Sequence, residues 1–318
     1  MRWYSRLAAV LCGVWLGILP AEAQAPVNNG ANNGKLAIVG GYLIDGNEGT
    51  PIQNSVVLVE GDRVVHVGTV ADTPIPGDTK VISAEGYTIM PGLHDAHVHL
   101  MIVGHGVYSE WFVKYDSRMR EIMPISARHL LMAGVTSARD LGAPLEDIMW
   151  LKKEIESGRL VGPRLFVSGP FLQKTSSDDQ KFFRWLIDGP ADARAKTRRL
   201  IDAGVDLIKV TQSDRLSREE LRAIREEAGR AGLHIAAHGY THEELRAAIE
   251  DLGARTIEHV NARPHPFYPE ESVRLMGDHG VYAVPTSIVS LAYDATEAFP
   301  ERLDDQRLKR DLPPEVYQ

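Results

Sequence analysis

Cysteine is almost absent: the 318 residues contain one, Cys12. That excludes a disulfide scaffold, a cysteine-based zinc site and a cysteine nucleophile together. A basic block is missing too. With 43 acidic against 35 basic residues and a formal charge of −8, the chain lacks the local excess of Lys and Arg that a phosphate-binding groove needs, so no nucleic-acid partner is expected. Gly and Pro, at 28 and 18 residues, and charged residues, at 25%, are at ordinary levels, which excludes collagen-like and disordered classes. Histidine is what the chain has in quantity, with 12 residues. Its hydrophobic content of 44% over this length supports about two domains, or one large barrel with an appendage.

Long apolar runs are equally scarce. The one clear run, Leu7 to Leu19, follows Arg2 and Arg6 and precedes Pro20 and Ala21-Glu22-Ala23, the small-x-small pattern of a secretory cleavage site. Residues 1–23 are therefore expected to be a signal peptide, with Gln24 opening the mature chain and residues 24–34 a flexible leader. The run is shorter than the roughly 20 residues a bilayer needs, so the expectation is export to the periplasm or medium with no stable membrane anchor. Once residues 1–23 are removed, 33 basic and 42 acidic residues remain, with no cysteine. Core packing or bound metal must then supply the stability that disulfides give many exported proteins.

Residues 35–87 read as a small β module. Short β-type runs at Lys35–Val39, Ser55–Glu60, Arg63–Val67 and Lys80–Ser83 are separated by turn residues, with Gly61-Asp62 as a hairpin signal. From Thr88 the texture changes. Strand candidates at Thr88–Leu100, Gly134–Asp140, Arg164–Ser168, Asp206–Val210, Leu233–His238, Thr256–Val260 and Val281–Pro285 alternate with helical patterns, the clearest at Ala191–Ala203, Ser217–Ala231 and Thr241–Leu252. Ser217 and Glu220 have capping-box spacing, and Gly204, Gly232 and Gly253 stand at helix ends. Repeated βα units imply parallel strands with right-handed crossovers. The expected fold is α/β: a (β/α)8 TIM-like barrel over residues 88–318, incomplete with about seven strands, behind a small N-terminal β-sandwich module.

In such barrels the reactive groups sit at the carboxyl ends of strands. His97 and His99 lie near the end of the first candidate strand, and a spacing of two puts both imidazoles on one face, able to grip one ion. Lys209, His238 and His259 end the fourth, fifth and sixth strands. Each of these alone reads as readily as a rim or core residue; their joint placement points to one pocket.

The segments Met90–Leu100 (MPGLHDAHVHL), Gly134–Leu141 (GVTSARDL), Asp206–Val210 (DLIKV), His234–Thr241 (HIAAHGYT) and Thr256–Val260 (TIEHV) resemble the amidohydrolase superfamily of metal-dependent hydrolases. The resemblance is strongest to its imidazolonepropionase-like and prolidase-like branch. It implies two divalent metal ions, usually zinc. His97 and His99 would hold one, His238 and His259 the other, and Lys209, carboxylated by carbon dioxide, would bridge them. Tyr240 falls where this branch commonly reads HAYT and would orient a substrate carbonyl, although Gly239 replaces the alanine. Asp95 shares the parity of the first two histidines and fits a hydrogen bond to a ligand histidine, while Arg139 and Asp140 read as a substrate-charge contact or a structural salt bridge. The other histidines, His66, His94, His105, His129, His234, His242, His265 and His279, have no matching role.

The implied activity is hydrolysis of C–N bonds in small substrates such as dipeptides or N-acyl amino acids, with cyclic amides and lactones as alternatives. Homo-oligomerisation stays open. The family pattern has one further member, an Asp ending the eighth strand. Six βα steps from His97 to Pro285 take 188 residues, which places an eighth strand no earlier than about residue 316. Asp294, Asp304, Asp305 and Asp311 lie in polar sequence without an apolar strand before them. A C-terminally truncated hydrolase, weakly active or surviving as an inactive metal-binding remnant, is thus the competing expectation.

Overall fold

The computed structural model describes residues 34–102, 108–260, 269–287, 298–312 and 314. The expected signal peptide, most of the leader, His105, His265 and Asp294 lie outside the described residues. The chain divides between Pro91 and Gly92 into two compact units.

In the first unit, β1 (Lys35–Leu43), β2 (Ile52–Glu60), β3 (Arg63–Thr69), β4 (Lys80–Ser83) and β5 (Thr88–Ile89) form one mixed sheet in the order β3-β2-β1-β4, with β5 also pairing β1. Gly61, at φ +59, turns β2 into β3 and leaves Glu60 opposite Arg63. Only one layer is seen among the described residues, where a sandwich would need two. One end of the first barrel-strand candidate also moves: Thr88–Ile89 belongs to this sheet, and the strand carrying the two histidines begins at Leu93.

The second unit is α/β with parallel sheets. β6 (Leu93–Val98), β7 (Val135–Asp140) and β8 (Arg164–Val167) form one. The other contains β9 (Phe171–Gln173), β10 (Arg184–Leu186), β11 (Leu207–Val210), β12 (His234–His238), β13 (Thr256–Glu258) and β14 (Tyr282–Val284), in the order β10-β9-β11-β12-β13-β14. Between strands run α1 (Tyr108–Tyr115), α2 (Met119–Met132), α3 (Leu145–Glu156), α4 (Gly189–Asp202), α5 (Arg218–Arg230), α6 (His242–Arg246) and α7 (Glu270–Asp278). The expected Thr241–Leu252 helix is split: α6 passes into a π-helical turn at Ala247–Asp251. Ser217 caps α5 as its spacing predicts, accepting from the Glu220 amide at 3.2 Å while the Glu220 carboxylate accepts from the Ser217 amide at 2.7 Å.

The two sheets meet at a broken strand. β8 pairs with β7 and β9 pairs with β11, and Gly169 at φ +65 makes the break between them. Main-chain bonds bridge it, from Asp206 N to Val167 O at 2.9 Å and from Thr211 N to Leu172 O at 3.1 Å. A closed eight-stranded ring is not completed among the described residues, and no strand follows β14 there. No described helix is long and apolar enough to cross a membrane.

Strand parity decides what faces inward. Ile208 and Val210 of β11, Ile235 and Ala237 of β12 and Ile257 of β13 join Leu221, Ile224 and Leu245 in the core beneath the helices. Val98 of β6 and Ala138 of β7 pack into a second helix-facing core with Ile148 and Leu151. The alternate residues must then point the other way. Leu141, Leu207 and Ala236 pack together there as a small separate cluster, and one step further along the same face come Lys209 and His238.

Candidate metal centre

The inward-facing groups converge. The ring centroids of His97 and His259 lie 4.5 Å apart, those of His238 and His259 4.6 Å and those of His97 and His99 5.1 Å. Lys209 is fully buried beside them. Tyr240 stacks on His259 at 5.4 Å and meets His238 edge-on at 5.1 Å. All six residues singled out for the site therefore come together on the ends of β6, β11, β12 and β13 and the turns that follow.

Three of the four imidazoles are tied through Nδ1. His97 Nδ1–H donates to Glu258 Oε2 at 2.7 Å, and His99 Nδ1–H donates to the Gly142 carbonyl at 3.2 Å. His259 Nδ1 lies 2.8 Å from the Thr286 hydroxyl. A carbonyl can only accept, so His99 carries its proton on Nδ1, and a carboxylate partner sets the same tautomer in His97. The Nε2 lone pairs of His97 and His99 then face each other at 3.3 Å, an arrangement that repels unless a cation lies between or beside them. Gly142 fits only as glycine: a Cβ there would stand 1.7 Å from the Phe171 ring, which itself packs edge-on against His99.

Electrostatics keep these nitrogens available. Burial, reinforced by the positive charge of Lys209, pushes His99 down to about 4 and His259 to about 2, and holds His97 and His238 well below the usual imidazole range. Burial also lowers Lys209 to about 7 against the pull of Glu258. Among the described residues neither Lys209 Nζ nor His238 Nε2, both buried, has a hydrogen-bond partner. Orphaned buried donors and acceptors are costly in a folded protein unless something occupies them.

Neutral imidazoles with free Nε2 atoms and a deprotonatable lysine are the donor set that divalent cations bind. No trio of His, Cys, Asp and Glu among the described residues stands in coordination geometry. The donor chemistry of the residues present fits divalent cations.

Several neighbours take roles the sequence reading did not assign. Glu258 was missed. It is fully buried and receives His97 Nδ1–H on one oxygen, with Arg139 Nη2 at 2.7 Å and Thr256 Oγ1 at 2.6 Å on the other. Arg139 is thus in a structural salt bridge, the second of its two expected roles. Asp140 is not: its carboxylate accepts the main-chain amides of Leu100 at 2.8 Å and Gly142 at 3.0 Å, and burial pushes it up to about 7. Asp95 accepts the main-chain amide of His97 at 3.0 Å, so the hydrogen bond expected between it and one of the two histidines runs through the main chain. The signal available for Glu258 was a carboxylate inside an otherwise apolar strand, a placement that demands partners.

Among the remaining histidines, His94 meets the Ser137 hydroxyl, His242 lies 2.8 Å from the Ser272 hydroxyl and His279 donates to the Leu275 carbonyl at 2.9 Å. Asp305 is occupied by Arg307 at 2.9 Å, away from any strand end.

Parallel strands presenting histidines and a buried lysine at their carboxyl ends define a class of metal-dependent hydrolase folds, and the chain belongs to the amidohydrolase family, whose model matches residues 88–308. Ochratoxinase of Aspergillus niger is 27% identical over 296 residues, covering 79% of this chain and 58% of that protein. The chain thus spans less than two thirds of that curated relative's length. Imidazolonepropionase of Alkaliphilus oremlandii is 43% identical over 56 residues, 17% of this chain and 13% of that one. Among solved structures, a prolidase complexed with N-methylphosphonate-L-proline superposes with a TM-score of 0.70 at 27% identity, covering 89% of this chain and 71% of that one.

Proposed function

We propose that this chain carries a metal-dependent site for hydrolysing C–N bonds in small substrates, dipeptides or N-acyl amino acids, in a protein exported by residues 1–23. One observation carries the reading: four imidazoles and a buried lysine converge, with Nδ1 of His97 and His99 donating so that their Nε2 atoms are presented. His97 and His99 would hold one cation, His238 and His259 the other, with Lys209 between them as a carbamate. Two divalent cations, of which zinc suits imidazole donors, would activate a shared water near neutral pH and polarise the scissile carbonyl.

The chain's own residues do the rest. Burial of Lys209 favours loss of its ammonium proton, which must precede any reaction with carbon dioxide. Tyr240, 40% exposed and stacked on His259, would orient a substrate carbonyl. The prolidase with its prolyl phosphonate and the ochratoxinase relative support amide substrates. A barrel wall of seven parallel strands, with β8 and β9 as one broken strand, belongs to the same reading.

The test is turnover of a dipeptide and N-acyl amino acid panel by zinc-loaded full chain, beside His97→Ala and Lys209→Ala. Parent turnover that falls by roughly 100- to 1,000-fold in both variants supports the reading, the scale on which removing a group aimed at developing charge reduces rate. Parent and variants equally silent would replace it with a metal-binding remnant.

A further inference from the structure

We infer that Glu258 is a positioning residue that presets the His97/His99 cation position and leaves the His238/His259 position largely alone. The inference rests on the metal-site reading, since it takes His97 as a ligand. Its geometric basis begins with the strand. β13 ends at Glu258, and in regular extended chain the next side chain would point to the opposite face. His259 instead adopts φ +63, and this left-handed turn brings two consecutive side chains into one interior. Glu258 touches His97 Nδ1 at 2.7 Å while the His259 ring stands 4.5 Å from the same imidazole. One dipeptide therefore offers a ligand to one position and an orienting carboxylate to the other.

That carboxylate has no freedom to turn away. Oε2 accepts from His97, Oε1 accepts from Arg139 and Thr256, and the side chain has no exposed surface from which water could compete. Arg139 is pinned in turn: its Nε donates to the Ala96 carbonyl at 2.7 Å and its Nη1 lies 3.2 Å from Thr256 Oγ1. The same guanidinium thus holds both the carboxylate that orients His97 and the main chain just before it. Two of the other rings take their Nδ1 hydrogen bonds elsewhere. His99 is oriented by the Gly142 carbonyl and His259 by the Thr286 hydroxyl. Thr286 is itself left-handed, at φ +47, and His259 N donates to Val284 O at 2.9 Å, so β14 supplies the second position's support separately.

Glu258→Gln tests this. The amide keeps the shape but offers one acceptor, and its NH2 must face either Arg139 or His97. Metal-stripped full chain is titrated with zinc ions against a chromogenic chelator, alongside thermal melts of the metal-free proteins. The parent takes up two equivalents; in the variant one equivalent weakens by about 10- to 100-fold while the other stays within about twofold, the scale expected when a group orienting a ligand is lost. Both equivalents unchanged, or both weakened alike, overturns the proposal.

A measurement on the parent alone guards against a variant that does not fold. Long-range 1H–15N correlation of the metal-free protein should show His97 protonated on Nδ1, and an Nε2–H tautomer overturns the assignment. A parent that binds no zinc refutes the hydrolase reading, and the tautomer still decides the role of Glu258. Neither readout uses turnover, so failure of the substrate proposal and failure of this one look different.

Discussion

Two carboxylates in the second unit gather guanidinium groups, one inside and one outside. Glu258 has no exposed side-chain surface, and its partner Arg139 is 20% exposed. Glu227, on α5, is nearly as buried at 4%, yet its partners Arg194, Arg198 and Arg230 are 34%, 58% and 62% exposed. The bonds are of similar length: 2.7 Å from Arg139 to Glu258, and 2.9 and 2.6 Å from Arg198 and Arg230 to Glu227. Length therefore says little about what each cluster contributes. On the surface, water and salt stand ready to replace any lost partner. In the interior nothing does, and removing one member leaves an uncompensated buried charge.

The largest effect should come from breaking the inner cluster. Arg139→Ala leaves the Glu258 carboxylate buried with only the Thr256 hydroxyl and His97, and should cost about 3–5 kcal/mol in denaturant unfolding. A loss under roughly 1 kcal/mol would place Arg139 in the surface class.

A neutral cap on the helix that carries the outer cluster gives the intermediate case. Ser217→Ala removes the side-chain acceptor at the start of α5 and should cost about 1 kcal/mol, or roughly 2–4 °C in melting temperature. Because the lost bond is uncharged, the shift should be the same in low and high salt. A shift that vanishes in high salt would mean that charge, not the cap, sets the stability of this helix.

The smallest effect is expected at Glu227. Hydrogen bonding from Arg198, then from Arg194, lowers its carboxyl to about 2. A folded-state value below the unfolded one contributes stability that is present above the usual carboxylate range and is lost as pH falls toward 2. The melting temperature of Glu227→Gln should therefore lie slightly below the parent's at pH 7, converge with it near pH 2, and converge also at high salt. A gap that persists at pH 2 would show that packing of the side chain, and not its charge, is responsible.

Most of the site was legible because strand parity and strand ends are properties of short segments. Leu207 and Lys209, or Ala236 and His238, share a face whatever the rest of the chain does. Glu258 escaped because the departure from that rule falls at the next residue. Its neighbour His259 was read as the inward residue of the strand end, and regular alternation then sends Glu258 away; only the left-handed backbone at His259 turns both inward. For Asp95, parity fixes a face and not the atom met: its carboxylate accepts the main-chain amide two residues on. β9 and β10 were missed because each is three residues long, Phe171–Gln173 and Arg184–Leu186, too short to show a period. The first unit's strands were found by their turn residues, whereas pairing of Thr88–Ile89 with β1 is a long-range choice that no local pattern announces.

The backbone at His259 also limits what could ever replace it. A φ of +63 is costly for β-branched side chains and comparatively tolerable for asparagine, aspartate and histidine. Aspartate is thus the one anionic donor this position could accept without rebuilding the turn. On the proposed metal-site reading, such an exchange would trade a nitrogen for a harder oxygen, which suits ions such as manganese. A single strained peptide would then set the range of metals open to descendants of this fold.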